Sequence, residues 1–170
     1  MSEYKKVTIY TDGACIRNPG PGGYGVVLIH ADDRQELAGG FQMTTNNRME
    51  IIAAIAGLQS LKTPCTVTIF SDSKYLVDGI AKGWAKRWKA NGWMRNPKER
   101  AVNIDLWDKL LGLCSLHEVN FQWVQGHAGI KENVRCDKLS TEAAKRENLP
   151  TDHNYESGEA SKSAPPTLFD

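Results

Sequence analysis

The sequence predicts an α/β fold. Two short β-type runs, residues 7–10 and 66–70, each deliver an aspartate, Asp12 and Asp72, where the chain changes element. Between them, over residues 48–61, Ile51, Ile52, Ile55 and Leu58 recur at helical spacing with alanines among them. Ligands of open α/β sheets gather at the carboxyl ends of strands, so the repeated strand–Asp arrangement weighs more than either aspartate alone. Asp12-Gly13 taken singly is also ordinary turn punctuation.

The first strand is followed by a loop rich in Gly and Pro, and then by a second β-branched run over residues 24–29. Gly20-Pro21-Gly22-Gly23-Tyr24-Gly25 satisfies the G-x-G-x-x-G pattern of dinucleotide sites, but that chemistry needs the glycines to open a helix. Here they open into Val26-Val27-Leu28-Ile29, a strand, and the match is rejected. Asp32-Asp33 makes a turn, and residues 35–43 return as a third strand of an antiparallel meander. Asn47 is placed to cap the helix that follows, with Glu50 three residues on as a capping-box partner. Thr63-Pro64 ends that helix, and Asp72 follows the next strand, where it could cap a helix beginning near Lys74.

From Lys82 to Lys98 the charge is one-sided: Lys82, Lys86, Arg87, Lys89, Arg95 and Lys98 have no acidic residue among them and alternate with Trp84, Trp88 and Trp93. Trp84 and Trp88 lie one helical turn apart, as packing residues would. We read a short helix and loop anchored by indoles, with a basic outer face suited to phosphates. A helix over residues 103–113 and an alternating strand through Val119, Phe121 and Trp123 lead to Gly126-His127-Ala128-Gly129, an exposed histidine between glycines. The last helix covers residues 131–147 and contains Asp137. Residues 1–148 form one domain, and residues 149–170 a flexible polar tail, with 151–164 disordered and Pro165 to Asp170 a candidate docking peptide for a protein partner.

Composition sets outer limits. The 170 residues suit one domain with a real core, and 21 Lys plus Arg against 20 Asp plus Glu give no net pull toward a polyanion. Cys15, Cys65, Cys114 and Cys136 are scattered without a C-x-x-C pair, and the Cys114/His117 and His127/Cys136 spacings are weak zinc signals. No signal peptide or membrane span is evident. These features point to a reducing, cytoplasmic setting with free thiols.

Taken together, YTDGAC at 10–15, NPGPGGYG at 18–25, TTNNRME at 44–50, SDS at 71–73, the Trp-rich basic segment, GHAG at 126–129 and NVRCDKL at 133–139 give a chain that resembles type 1 ribonuclease H, in its cellular bacterial-like form. The resemblance runs in order to about residue 146. It implies a mixed five-stranded sheet with helices on both faces, and a monomeric endonuclease that cuts the RNA strand of RNA–DNA hybrids. It implies that Asp12, Glu50, Asp72 and Asp137 hold two Mg²⁺ ions, with Mn²⁺ as a substitute, and that His127 works near the scissile phosphate. Asn18, Asn46 and Asn47 would contact the RNA strand's hydroxyls. Thr45 and Asn103 would line a pocket for a DNA phosphate, and Trp84, Lys86, Arg87 and Lys89 would belong to a substrate-binding protrusion. The chain would lack a preceding hybrid-binding domain.

The chemistry is consistent with that assignment. Two divalent ions can activate water and stabilise the leaving oxygen of a phosphodiester, and carboxylates suit Mg²⁺ because it is a hard cation. A like-charged pair at about 4 Å costs about 4 kcal/mol at an effective dielectric near 20, so converging carboxylates call for a cation. Imidazole titrates near neutrality and suits a proton carrier. The 2′-hydroxyl distinguishes RNA from DNA.

Two departures from the family's pattern stand out: the protrusion is less basic at residues 88–93, and Met43 stands where an arginine of the DNA-phosphate pocket can occur. A non-catalytic binding module, a nucleotide-dependent oxidoreductase and an aspartic protease are the alternatives. The first would have lost an acidic position, the second rests on the rejected glycine pattern, and the third lacks a second D-T/S-G element.

Overall fold

The computed structural model describes residues 4–158 and 160. Five strands form one mixed sheet in the order β3-β2-β1-β4-β5. They are β1 (Lys5–Cys15), β2 (Gly20–His30), β3 (Asp33–Thr44), β4 (Cys65–Ser71) and β5 (Glu118–Trp123). β1, β2 and β3 form the antiparallel meander, while β4 joins β1, and β5 joins β4, in parallel. The helices are α1 (Asn46–Gln59), α2 (Lys74–Ala81), α3 (Trp84–Ala90), α4 (Ile104–Cys114), α5 (Lys131–Ala144) and α6 (His153–Ser157).

Strand alternation divides the core into two layers. Val26 and Leu28 join Val7 and Ile9 under α1, where Ile51, Ile55 and Leu58 are buried together with Trp107 and Leu110 of α4. Val27, between them, faces the other way onto Cys136 and Leu139 of α5. Helices therefore cover both faces, as the family resemblance implies.

Three local expectations are corrected. Residues 20–23 are not part of the loop: β2 begins at Gly20 and not at Tyr24. A Cβ on Gly23 would lie 2.2 Å from the Ser140 carbonyl oxygen, and one on Gly25 would lie 2.5 Å from that of Cys136. These glycines are there because α5 rests directly on the strand's backbone. Similarly, Asp12-Gly13 is no turn: β1 continues to Cys15 against β2, with Asp12 opposite Gly25. The cap of α1 is Thr45, whose hydroxyl accepts from the Arg48 amide; Asn47 lies within the helix, so the capping box with Glu50 does not form.

The tail is also corrected. The boundary at 148/149 falls inside the packed body, because the Gln42 amide donates to the Pro150 carbonyl (2.8 Å) and residues 153–157 are helical. Asp152, 5% exposed, is buried against Arg48, a partner that no local pattern could indicate. The proposed docking peptide, residues 165–170, lies outside the described residues. No helix among them is long and apolar enough to cross a membrane.

Candidate metal centre and nucleic-acid interface

β1 and β4 run in parallel register up to the pair Tyr10–Phe70. Asp12 and Asp72 each stand two residues beyond that pair, so adjacent strands deliver them at one level. Glu50 arrives from α1, which lies so close to β1 that a Cβ on Gly13 would be 2.6 Å from the Glu50 backbone nitrogen. One carboxylate oxygen each from Asp12, Glu50 and Asp72 lies within 4.8 Å of the others. Among the described residues, Cys114 with His117 and His127 with Cys136 belong to no such group.

The electrostatics are unfavourable without a cation. Asp12 accepts a 2.9 Å hydrogen bond from the Gly13 amide, yet burial, reinforced by the charges of Asp72 and Asp137, pushes its carboxyl up to about 8. Burial, and then Asp12 and Asp72, push Glu50 well above the ordinary glutamate range. Glu50 Oε1 is buried with no hydrogen-bond partner. An all-oxygen donor set with an orphaned buried carboxylate oxygen fits a hard divalent cation. Asp137, half-buried on α5, is near enough to act on Asp12 but stands outside the mutual 4.8 Å group.

Asp72 has support that the sequence reading missed. Its carbonyl accepts from Trp123 Nε1 at 3.1 Å, and Lys74 Nζ lies 4.8 Å from the centre of that indole. The bulky residue ending an alternating strand was the available signal. His127 is exposed, with φ 58°, in the loop that passes Asp72.

Asn18 Oδ1 accepts from the Asn46 amide at 3.1 Å, which leaves its Nδ2 as the group's donor; Asn46 and Asn47 occupy the adjoining start of α1. Asn103, with φ 59° and 8% exposed, is more confined than expected: its Oδ1 accepts from Arg48 and its Nδ2 donates to the Tyr75 hydroxyl.

The protrusion is indole-anchored as expected, Trp88 packing edge-on against Trp107 and Lys82 lying over Trp84. Its positive charge is lower than the sequence suggests. Lys89 pairs with Asp108 of α4 at 2.7 Å, Arg95 pairs with Glu99, and Lys82 pairs with Asp78 at 3.5 Å. A groove of about 680 Å³ runs along it, lined in part by Trp84, Arg87, Trp88 and Arg95.

The sequence model of the RNase H family matches residues 4–145. The chain belongs to the ribonuclease H family. These are nucleases that act on RNA–DNA hybrids, and the match is to the type 1, bacterial form. The Ribonuclease H of Syntrophus aciditrophicus is 64% identical over 151 residues, 89% of this chain and 87% of that protein. The Ribonuclease HI of Synechocystis is 60% identical over 138 residues, 81% of this chain and 86% of that one. Among solved structures, LC9-RNase H1, described as a type 1 RNase H with the type 2 active-site motif, superposes with a TM-score of 0.78 at 26% identity, covering 99% of this chain and 92% of that one.

Proposed function

We propose that the chain cuts the RNA strand of RNA–DNA hybrids internally, leaving 5′-phosphate and 3′-hydroxyl ends, with Asp12, Glu50, Asp72 and Asp137 holding two Mg²⁺ ions or their Mn²⁺ substitutes. The observation that carries this reading is the meeting of Asp12, Glu50 and Asp72 around a buried, unpartnered Glu50 oxygen. Ions bound there supply Lewis-acid stabilisation of charge on the attacking and leaving oxygens.

The remaining steps belong to side chains. Asn18, oriented by the Asn46 amide, donates to a ribose hydroxyl with Asn46 and Asn47 beside it. Sites built around a substrate hydroxyl can reject its absence by about 10⁴ or more. Thr45 and Asn103 hold a phosphate of the DNA strand. Trp84, Lys86, Arg87 and Lys89 grip the duplex without reading sequence. His127, on its glycine-flanked loop, carries a proton at the scissile phosphate and assists release. The chain works as a cytoplasmic monomer, a setting that suits its four free cysteines.

The test is a labelled RNA–DNA hybrid incubated with Mg²⁺, Mn²⁺ or chelator, beside RNA–RNA and DNA–DNA duplexes. Internal cuts confined to the hybrid's RNA strand, absent with chelator and with Asp12→Asn or Asp72→Asn, are expected. Cleavage that survives chelation, or equal cutting of duplex DNA, would overturn the reading.

A further inference from the structure

Arg48 is 1% exposed in α1, and all five of its guanidinium N–H groups are used. Nε and Nη2 donate to Asp152 (2.8 and 3.0 Å), Nη1 and Nη2 to Asp105 (2.9 and 2.7 Å), and Nη1 also to Asn103 Oδ1 (3.2 Å). Its backbone amide donates to the Thr45 hydroxyl (3.2 Å). Arg48 thus meets both residues, Asn103 through its guanidinium and Thr45 through its backbone amide. Asp152 completes the arrangement by accepting from the Thr44 hydroxyl at 2.7 Å, next to Thr45 in the chain.

A buried ion cluster of this kind is weak evidence for stability, because removing charges from water offsets most of their attraction. Orientation is what it supplies. Asn103 has its oxygen fixed toward Arg48 and its nitrogen toward Tyr75, whose hydroxyl also accepts from Trp107 Nε1. Released from Arg48, the amide could turn and present an oxygen to an incoming phosphate, exchanging a donor for a repelling acceptor. Two carboxylates already compensate the guanidinium, so the phosphate is met by the neutral donors that Arg48 aims and not by Arg48's own charge.

We infer that Asp152, on the C-terminal segment, is a positioning residue for hybrid binding: through Arg48 and Thr44 it holds Thr45 and Asn103 in the donor arrangement that receives a DNA-strand phosphate. This rests on the reading of Thr45 and Asn103 as that phosphate's site. The C-terminal segment then contributes to substrate affinity without touching substrate.

The experiment is steady-state cleavage of hybrids in which single DNA phosphates are replaced, one position at a time, by uncharged methylphosphonates. With the unaltered protein, one position is expected to lower kcat/KM by about tenfold or more, the worth of hydrogen bonds to a charged group. Asn103→Ala and Thr45→Val should abolish that position-specific loss. Asp152→Asn should raise KM with kcat nearly unchanged and shrink the loss to about threefold or less, while other positions respond as before; a general loosening of the fold would weaken every position alike. Thr44→Val, which removes Asp152's second partner, is measured alongside below its melting midpoint in case Asp152→Asn does not fold. If Asn103→Ala flattens the profile while Asp152→Asn and Thr44→Val keep the full position-specific loss, the inference is wrong. If Asn103→Ala and Thr45→Val leave the profile untouched, the phosphate site itself is misassigned and the inference falls with it.

Discussion

Gly126 abuts the acidic cluster so closely that a Cβ placed on it would stand 2.7 Å from Asp72 Oδ2. The nearest obstacle is the end of a side chain, and Gly126 lacks the positive φ seen at Gly129. Gly126→Ala is therefore expected to be tolerated by the fold, with a stability change within about 1 kcal/mol, yet to displace a carboxylate. Cleavage should fall by about tenfold or more, since misplacements near 1 Å can cost about a hundredfold. Melting curves and initial rates on one preparation check both halves.

Stability without divalent cation should depend on pH in the opposite sense to that of a salt-bridged carboxylate. Asp12 keeps its proton in the folded chain up to about 8, whereas the unfolded chain releases it near the ordinary 3.8. Across that window the folded state binds more protons, so stability declines as pH rises. In chelator, Asp12→Asn should melt higher than the unaltered protein at the upper end of the window and alike at the lower end. At about 2–4 °C per kcal/mol, calorimetry at the two ends suffices. Added Mg²⁺ should raise the midpoint of the unaltered protein far more than that of Asp12→Asn.

His127 and the acidic residues should separate in kind. His127→Ala is expected to retain measurable, slowed turnover, the loss lying within the 10²–10⁴-fold range of general acid–base groups, while Asp12→Asn is inactive. A His127→Ala protein as dead as Asp12→Asn would remove the proton-carrier role.

Charge in the protrusion can be tested from its acidic side. Lys89 is held by Asp108, so Asp108→Asn should release it toward the duplex and tighten hybrid binding at low salt. Lys86→Ala should weaken binding for all sequences and reduce the slope of log K against log salt by about 0.7–0.9. Titrations at several salt concentrations measure both effects.

Much of the site was legible because its elements announce themselves locally. The β-type runs before Asp12 and Asp72, and the periodic apolar residues of α1, required no knowledge of the fold. Glu50 was harder to read: locally it looked like a cap partner, and only the approach of α1 to β1 shows its carboxylate turned inward. What escaped the sequence depends on distant partners. Gly23 reads as a loop residue because nothing nearby in sequence reveals α5 pressing on it, and Asp152 reads as part of a polar tail because Arg48 is 104 residues away. The masking of Lys89 by Asp108, 19 residues on, belongs to the same class.

The missing side chain at Gly13 lets α1 sit main chain against main chain on β1, with Met49 and Glu50 backbone atoms where a methyl group would otherwise be. The approach of Asp12 and Glu50 is therefore limited by main-chain packing of α1 on β1 rather than by the size of an intervening side chain. Lineages could exchange Ile51 or Ile55 for other aliphatics and drift widely over the rest of the helix without retuning the reaction, whereas any residue but glycine at position 13 would pry apart the acids it lies between.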